Sequence, residues 1–174
     1  MIMLLSGVVT ASFAAVSCSD TEYDFANLFP EEYHNIVAIA SDMTGEIVFR
    51  DCTDNIDFDV EVIKGGGYPD KSSEAHLEAI PQDDLTSTNP NYVALPDNCY
   101  TLEGNSLTFD GTKAKKSIRV KFAMEALRDF IAANTLENAE FVIGLTLVSG
   151  NATVNSDRSR IVRTIVYMEP EEIN

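Results

Sequence analysis

From about residue 34 onward, hydrophobic and polar residues alternate along the chain with a period of two. In "NIDFDVEV" (55–62), Ile56, Phe58, Val60 and Val62 fall on one side and Asp57, Asp59 and Glu61 on the other. That pattern predicts a strand with one buried and one wet face. "KSIRVKF" (116–122) repeats it, with Ile118, Val120 and Phe122 inward and Arg119 and Lys121 outward. "EFVIGLTLV" (140–148) is apolar on both faces and fits a central strand, and "SRIVRTIVYM" (159–168) fits a closing one. Shorter apolar stretches predict further strands at 35–40, 46–50, 74–80, 99–102 and 106–110. Turn signals separate them: Thr44-Gly45, Gly65-Gly66-Gly67, Asn89-Pro90, Pro96-Asp97, Gly104-Asn105 and Asp110-Gly111. One segment changes period. In "MEALRDFIAANT" (124–135), Met124, Leu127, Phe130 and Ile131 recur at helical spacing and predict a short crossing helix. The fold class expected is therefore all-β, an antiparallel β-sandwich with one short crossing helix.

The start of the chain reads differently. Residues 1–17 carry no charged side chain. The run is too short and too rich in small residues to span a bilayer, which takes roughly 20 apolar positions. It reads as a secretory leader ending at a processing site. "Ala15-Val16-Ser17-Cys18" resembles a bacterial lipobox, with Ala15 where leucine is usual. In such a motif Cys18 is acylated and becomes the new N-terminus. Residues 18–33 mix acids with aromatics without a period and read as an acidic tether; 34–168 is the sandwich, and 169–174 a tail or the start of a linker.

Charge narrows the functional classes. The formal net charge is −16, and all of it lies after residue 17. Such a chain repels nucleic acid and anionic headgroups, because it lacks the cationic patch that releases counterions from phosphates. Hydrophobic residues make up 45% of the sequence, which fits a folded domain and not an acidic disordered tail. Asp51, Asp54, Asp57 and Asp59 could offer oxygens to calcium, but the glycine and the bidentate glutamate of an EF-hand loop are absent. A solvated strand face is the reading adopted, neutralised by Lys115, Arg119 and Lys121 if the two strands are neighbours. His34 and His76 lack zinc-ligand spacing, and no nucleophile elbow or singular carboxylate pair stands out. No catalytic residue, metal or cofactor is assigned.

There is no Trp on which a sugar ring could stack. Tyr68 in "GGGYPD" and Tyr92 in "NPNYVALP" are the rings expected at the surface, where each serves as a glycan contact or as a loop anchor. Asn151-Ala152-Thr153 fits the N-glycosylation pattern, which carries little meaning in a bacterial lipoprotein. Export permits Cys52 and Cys99 to pair; both are expected to remain unbridged.

Two longer stretches carry a resemblance: "NPNYVALPDNCYTLEGNSLTFDGTKAKKSIRVKF" and "AEFVIGLTLVSGNATVNSDRSRIVRTIVYM". In order and spacing they resemble the domain of unknown function at the N-terminus of many Bacteroidetes surface lipoproteins and of some secreted family-18 glycosidase-like proteins. Tyr92, Leu95, Pro96, Tyr100 and Leu102 carry the first part and residues 141–147 the second, with Gly144 near the place where the family often has proline. The resemblance implies an immunoglobulin-like sandwich on a lipoprotein of a glycan-utilisation system, often ahead of a second domain. It also makes sense of Asp20, Glu22 and Asp24, which resemble the signal that sends lipoproteins of this phylum to the outer face of the outer membrane. The expected function is a non-catalytic glycan-binding, spacer or protein-interaction module at the cell surface. Its implied partners are the outer membrane through the lipid anchor, a polysaccharide and an outer-membrane transporter complex, with no nucleic acid. The alternative is a fimbrial or adhesin-like subunit, against which stands the lack of Arg or Lys in the tether before Arg50.

Overall fold

The computed structural model describes residues 30–50, 56–67, 71–110, 114–134 and 136–168. Its first strands are β1 (Ile36–Ile39), β2 (Thr44–Arg50), β3 (Asp57–Gly65) and β4 (Ser73–Ala79). Helix α1 (Gln82–Thr88), β5 (Tyr92–Ala94), β6 (Tyr100–Glu103), β7 (Leu107–Phe109) and β8 (Lys115–Phe122) follow. Helix α2 (Met124–Ala133), β9 (Glu140–Val148), β10 (Thr153–Val154) and β11 (Arg160–Met168) complete the described order.

The strands form a sandwich of two sheets. One has the order β10-β1-β3-β8-β6; the other runs β2-β11-β9-β4-β7, with β5 also on β9. β9 shares the edge opposite β11 between β5, at its first residues, and β4, at its last. The sheets are mixed where an antiparallel sandwich was expected: β1 with β10, β2 with β11 and β5 with β9 run parallel. The physical reason for the longest of these is a strand that changes sheets. After β1 the chain steps across to the other sheet without forming a hairpin, so β2 lies beside the last strand in the same direction.

The period-2 reading holds in detail. On β3, Val60 and Val62 are fully buried while Asp57 and Asp59 are exposed. On β8, Ile118, Val120 and Phe122 point in and Arg119 points out. Phe122 meets Phe49 edge-on at 5.2 Å between centroids and stacks on Phe58 at 6.1 Å, joining both sheets in one core. The inward phase of β3 carries on to Lys64, which is buried and donates its Nζ to the Lys71 carbonyl. Burial of the alkyl stem with the ammonium bonded at the rim is how a lysine can occupy such a position.

Helix α2 lies where expected, with Leu127 buried and Phe130 set edge-on to Phe141 at 5.7 Å. The second helix, α1, was not expected. Pro81 opens it, Asp83 and Asp84 occupy its first turn where carboxylates suit the exposed N–H groups, and only Leu85 is buried. Leu85, Ile80 and Val142 form a small separate core on the face of β9 turned away from the main one.

Candidate functional site

At the edge of the five-stranded sheet, Ile36 lies opposite Thr153 and Val37 opposite Val154. β10 has only two residues, too few to hold itself, and side-chain clamps fix it. Asn35, 4% exposed, donates its amide to the carbonyls of Asn151 at 3.2 Å and Ser72 at 3.3 Å, and accepts from the Ser73 hydroxyl. Asn151 Oδ1 accepts the Glu74 N–H at 2.8 Å, and Ser149 Oγ donates to the Glu74 carbonyl at 2.5 Å. A buried amide with both its ends engaged specifies one arrangement, since any other leaves polar atoms stranded. The loop before β10 is thereby tied to the starts of β1 and β4. The backbone N–H of Thr153 then reaches the Asn35 carbonyl at 2.8 Å, and that of Asn155 reaches Val37 at 3.0 Å.

A second structure meets this edge from the other side. Pro30 starts a 3-10 turn, Glu31–Tyr33, closed by the Tyr33 N–H on the Pro30 carbonyl at 2.9 Å. The glycine run after β3 seats it. Gly67 N–H donates to the Tyr33 carbonyl at 3.1 Å. Gly66 has φ +107°, and a Cβ there would stand 2.5 Å from the His34 carbonyl oxygen, so only glycine lets the two segments approach. Residues 31–33, read from sequence as the end of a tether, are thus built into the fold.

Between the turn and β10 lies an open groove of ≈ 360 Å³. Tyr33, 51% exposed, forms one wall, and the half-buried Ile36 and Val154 belong to its lining. Asn155, Ser156, Asp157, Thr153 and Glu32 supply polar atoms around it. The turn at 156–158 is capped by Asn155, whose Oδ1 accepts the Asp157 N–H at 3.0 Å. Arg158 pins the turn to the sheet by donating to the Ile39 carbonyl at 3.1 Å. A second hollow, more open and without an aromatic wall, lies over the start of α2 beside Glu125 and Asp129.

On the outer face of the five-stranded sheet and at the end of β8, several titratable groups are shifted. The Arg119 guanidinium, bonded to Asp59, holds that carboxyl below the usual aspartate range, and Arg119 is itself raised by the pair. Lys121 is raised by its bond to Glu103. Burial pushes Cys99 and Tyr100 up, with Asp97 adding to the shift at Tyr100. Cys99 is a free, fully buried thiol held protonated, which suits packing and not nucleophilic attack. Among the described residues no three of His, Cys, Asp and Glu gather as metal ligands.

Of the residues singled out from sequence, Tyr92 lies on β5, half-buried against Ile80, Leu85 and Val142, with its carbonyl bonded by Gln82 at 2.8 Å. Cys18, Asp20, Glu22, Asp24, Cys52 and Tyr68 lie outside the described residues, as do Asp51 and Asp54. The expected neutralisation of the acidic strand face is present. Asp59 and Arg119 are opposite each other and pair at 2.9 Å, and Lys115 pairs with Glu61 at 2.5 Å. The ring that sequence reasoning passed over is Tyr33. Its signal was local: a proline followed by two acids, "PEEY", is the opening of a helical turn.

A family model described as "-like, N-terminal domain" matches residues 29–154, from before the Tyr33 turn to the end of β10. The chain belongs to that family. Three solved structures from Bacteroides share the fold. A two-domain protein of unknown function from Bacteroides fragilis NCTC 9343 matches with a TM-score of 0.58 and 10% identity, over 80% of this chain and 47% of that one. A protein from Bacteroides ovatus ATCC 8483, provisionally named a carbohydrate binding protein, matches with a TM-score of 0.56 and 13% identity, over 75% and 36%. A multidomain protein including DUF1735 from Bacteroides ovatus matches with a TM-score of 0.51 and 14% identity, over 78% and 45%. At these identities the likeness is one of fold. This member of the N-terminal-domain family spans less than half the length of each of these three chains. Comparison with curated proteins finds no match.

Proposed function

We propose that this N-terminal-domain family member is a non-catalytic module of a cell-surface lipoprotein that serves glycan capture. The observation that carries the reading is the recurrence of its sandwich within longer Bacteroides chains, one of them provisionally named a carbohydrate binding protein. The geometry agrees with a binding role. Its open groove is lined by an aromatic ring and hydrogen-bonding side chains, whereas general acid–base work calls for a desolvated acid beside an ionised partner. In this proposal Cys18 carries the lipid, Asp20, Glu22 and Asp24 direct export to the outer face of the outer membrane, and the residues after Cys18 lift the sandwich off the surface. A polysaccharide and an outer-membrane transporter are the partners such a module would serve.

Fractionation tests the anchor. Several acyl chains hold a protein firmly, since each buried methylene contributes about 0.8 kcal/mol. Cys18→Ala is therefore expected to leave the sandwich folded and to move the protein from the membrane to the soluble fraction. Replacing Asp20, Glu22 and Asp24 together with alanine should keep it in the membrane fraction and shield it from protease added to intact cells. A Cys18→Ala protein that stays membrane-bound and normally processed would overturn the lipoprotein reading.

A further inference from the structure

We infer that the groove between the Tyr33 turn and β10 binds an uncharged pyranose chain, stacked on the Tyr33 ring. This rests on the glycan-capture reading above and adds the place, the residues and the class of sugar.

The Tyr33 ring supplies the stacking surface. Tyr33 is half exposed, whereas Tyr92 is packed against the small core under α1. An apolar ring face left in water beside a cleft is a surface that gains by being covered. The C–H face of a pyranose is its natural cover, because the sugar's hydroxyls point sideways from that face toward polar neighbours.

The polar neighbours of the ring match a sugar's hydroxyls. Asn155 has its amide oxygen engaged by the Asp157 N–H, which leaves its NH₂ to donate. Thr153 brings a hydroxyl that donates and accepts, Ser156 one that accepts while it donates to Asp157 Oδ1 at 3.5 Å, and Glu32 and Asp157 bring carboxylates that only accept. Each sugar hydroxyl both donates and accepts, so this mixture suits a polyol. A volume of ≈ 360 Å³ lies at the small end of ligand sites, which run roughly 300–1,000 Å³.

Charge sets the class. Glu32 and Asp157 flank the groove in a chain of net charge −16, so a uronic acid or a sulfated sugar would be repelled. A peptide adding itself as a strand is a poorer occupant, since β10 offers an edge of only two residues.

The groove is also held in place. The Asn35 clamp fixes β10, Arg158 fixes the following turn, and the Gly66 approach fixes the Tyr33 turn. The donors and the ring therefore face each other without a partner's help, which lowers the ordering cost of binding.

Affinity electrophoresis of the full chain tests this, in gels containing starch, xylan, galactomannan or polygalacturonate. Retardation is expected in at least one neutral gel and not in polygalacturonate. Tyr33→Ala should weaken that retardation roughly tenfold, the loss of one stacked ring, with an unchanged melting temperature. Tyr33→Phe should retain it. Retardation that survives Tyr33→Ala but is lost in Tyr92→Ala would overturn the groove while leaving the glycan-capture reading standing. Equal retardation in polygalacturonate would overturn the uncharged class. No retardation of the unaltered chain in any neutral gel would overturn the inference itself, and the Cys18 fractionation would still decide the surface-lipoprotein reading independently.

Discussion

On the outer face of the five-stranded sheet, Asp59 meets Arg119, Glu61 meets Lys115 and Glu103 meets Lys121, all of them open to water. On the outer face of the other sheet, α1 lays Leu85 over Gly144 of β9 and seals a second small core. The two faces solve the same problem by different means. A wet face needs only polar side chains of balanced charge, and exposed pairs contribute little to stability. A covered face gains apolar burial but demands shape: Leu85 fills the space that Gly144 leaves by having no side chain. A Cβ at 144 would lie 2.8 Å from Leu85 Cδ2 and 3.4 Å from Ile80 Cβ. Gln82 adds a polar clasp there, donating to the Tyr92 carbonyl at 2.8 Å and accepting the Ala94 N–H at 2.7 Å. Through that clasp, α1 holds β5 against β9.

Removing the apolar contact is the strongest way to break this contrast. Leu85 is 2% exposed and is the sole buried residue of α1. Leu85→Ala is expected to cost about 3 kcal/mol, read from urea denaturation, because the removed atoms lose burial and leave a cavity. A loss no larger than that of a surface substitution would show that α1 adds no core of its own.

Filling the glycine comes next. Gly144→Ala should cost about 1–2 kcal/mol by overpacking, since Leu85 is confined by Ile80 and Val142 and has little room to retreat. A double-mutant cycle sharpens the test. In the Leu85→Ala background the added methyl enters vacated space, so the Gly144→Ala cost should fall markedly. Strict additivity of the two changes would mean that the close approach of helix and strand is not what Gly144 serves.

The same contrast explains what could be read from the sequence. β3 and β8 were legible because a wet face leaves acids and bases at every second position: Asp57, Asp59, Arg119 and Lys121. β9 was legible as a strand covered on both sides, yet nothing in "QDDLTST" identified the cover, since a helix with one inward residue has no apolar stripe. β10 and β5 were missed for a related reason. They are two and three residues long, and they are held by Asn35, Asn151 and Gln82, whose hydrogen bonds reach far along the chain. The groove was illegible on the same ground. Residues 32–33 and 153–157 are brought together by β1 pairing with β10 and by the Gly66 approach, not by any local pattern. The triple glycine was recognisable as a turn, but its role in seating Tyr33 depends on contacts that no single segment displays.

The smallest effect is expected on the wet face, where the measurement is a pH profile. Arg119 lowers the pKa of Asp59 in the folded chain, first through the hydrogen bond and then through its charge. A carboxyl whose folded pKa lies below its unfolded value of about 3.8 stabilises the fold above that pH. The contribution fades as the pH falls below 3.8 and through the folded pKa, where both states are protonated. Arg119→Gln should therefore leave a slightly less stable protein at neutral pH, and the gap to the unaltered chain should close in acid. Both side chains are about half exposed, so added salt should narrow the neutral-pH gap as well. A gap that stayed constant from neutral pH down to pH 2, or that salt left untouched, would mean that Arg119 acts through the packing of its alkyl stem on β3. The charge ladder would then be a consequence of keeping that face in water, with no part in holding the sheet together.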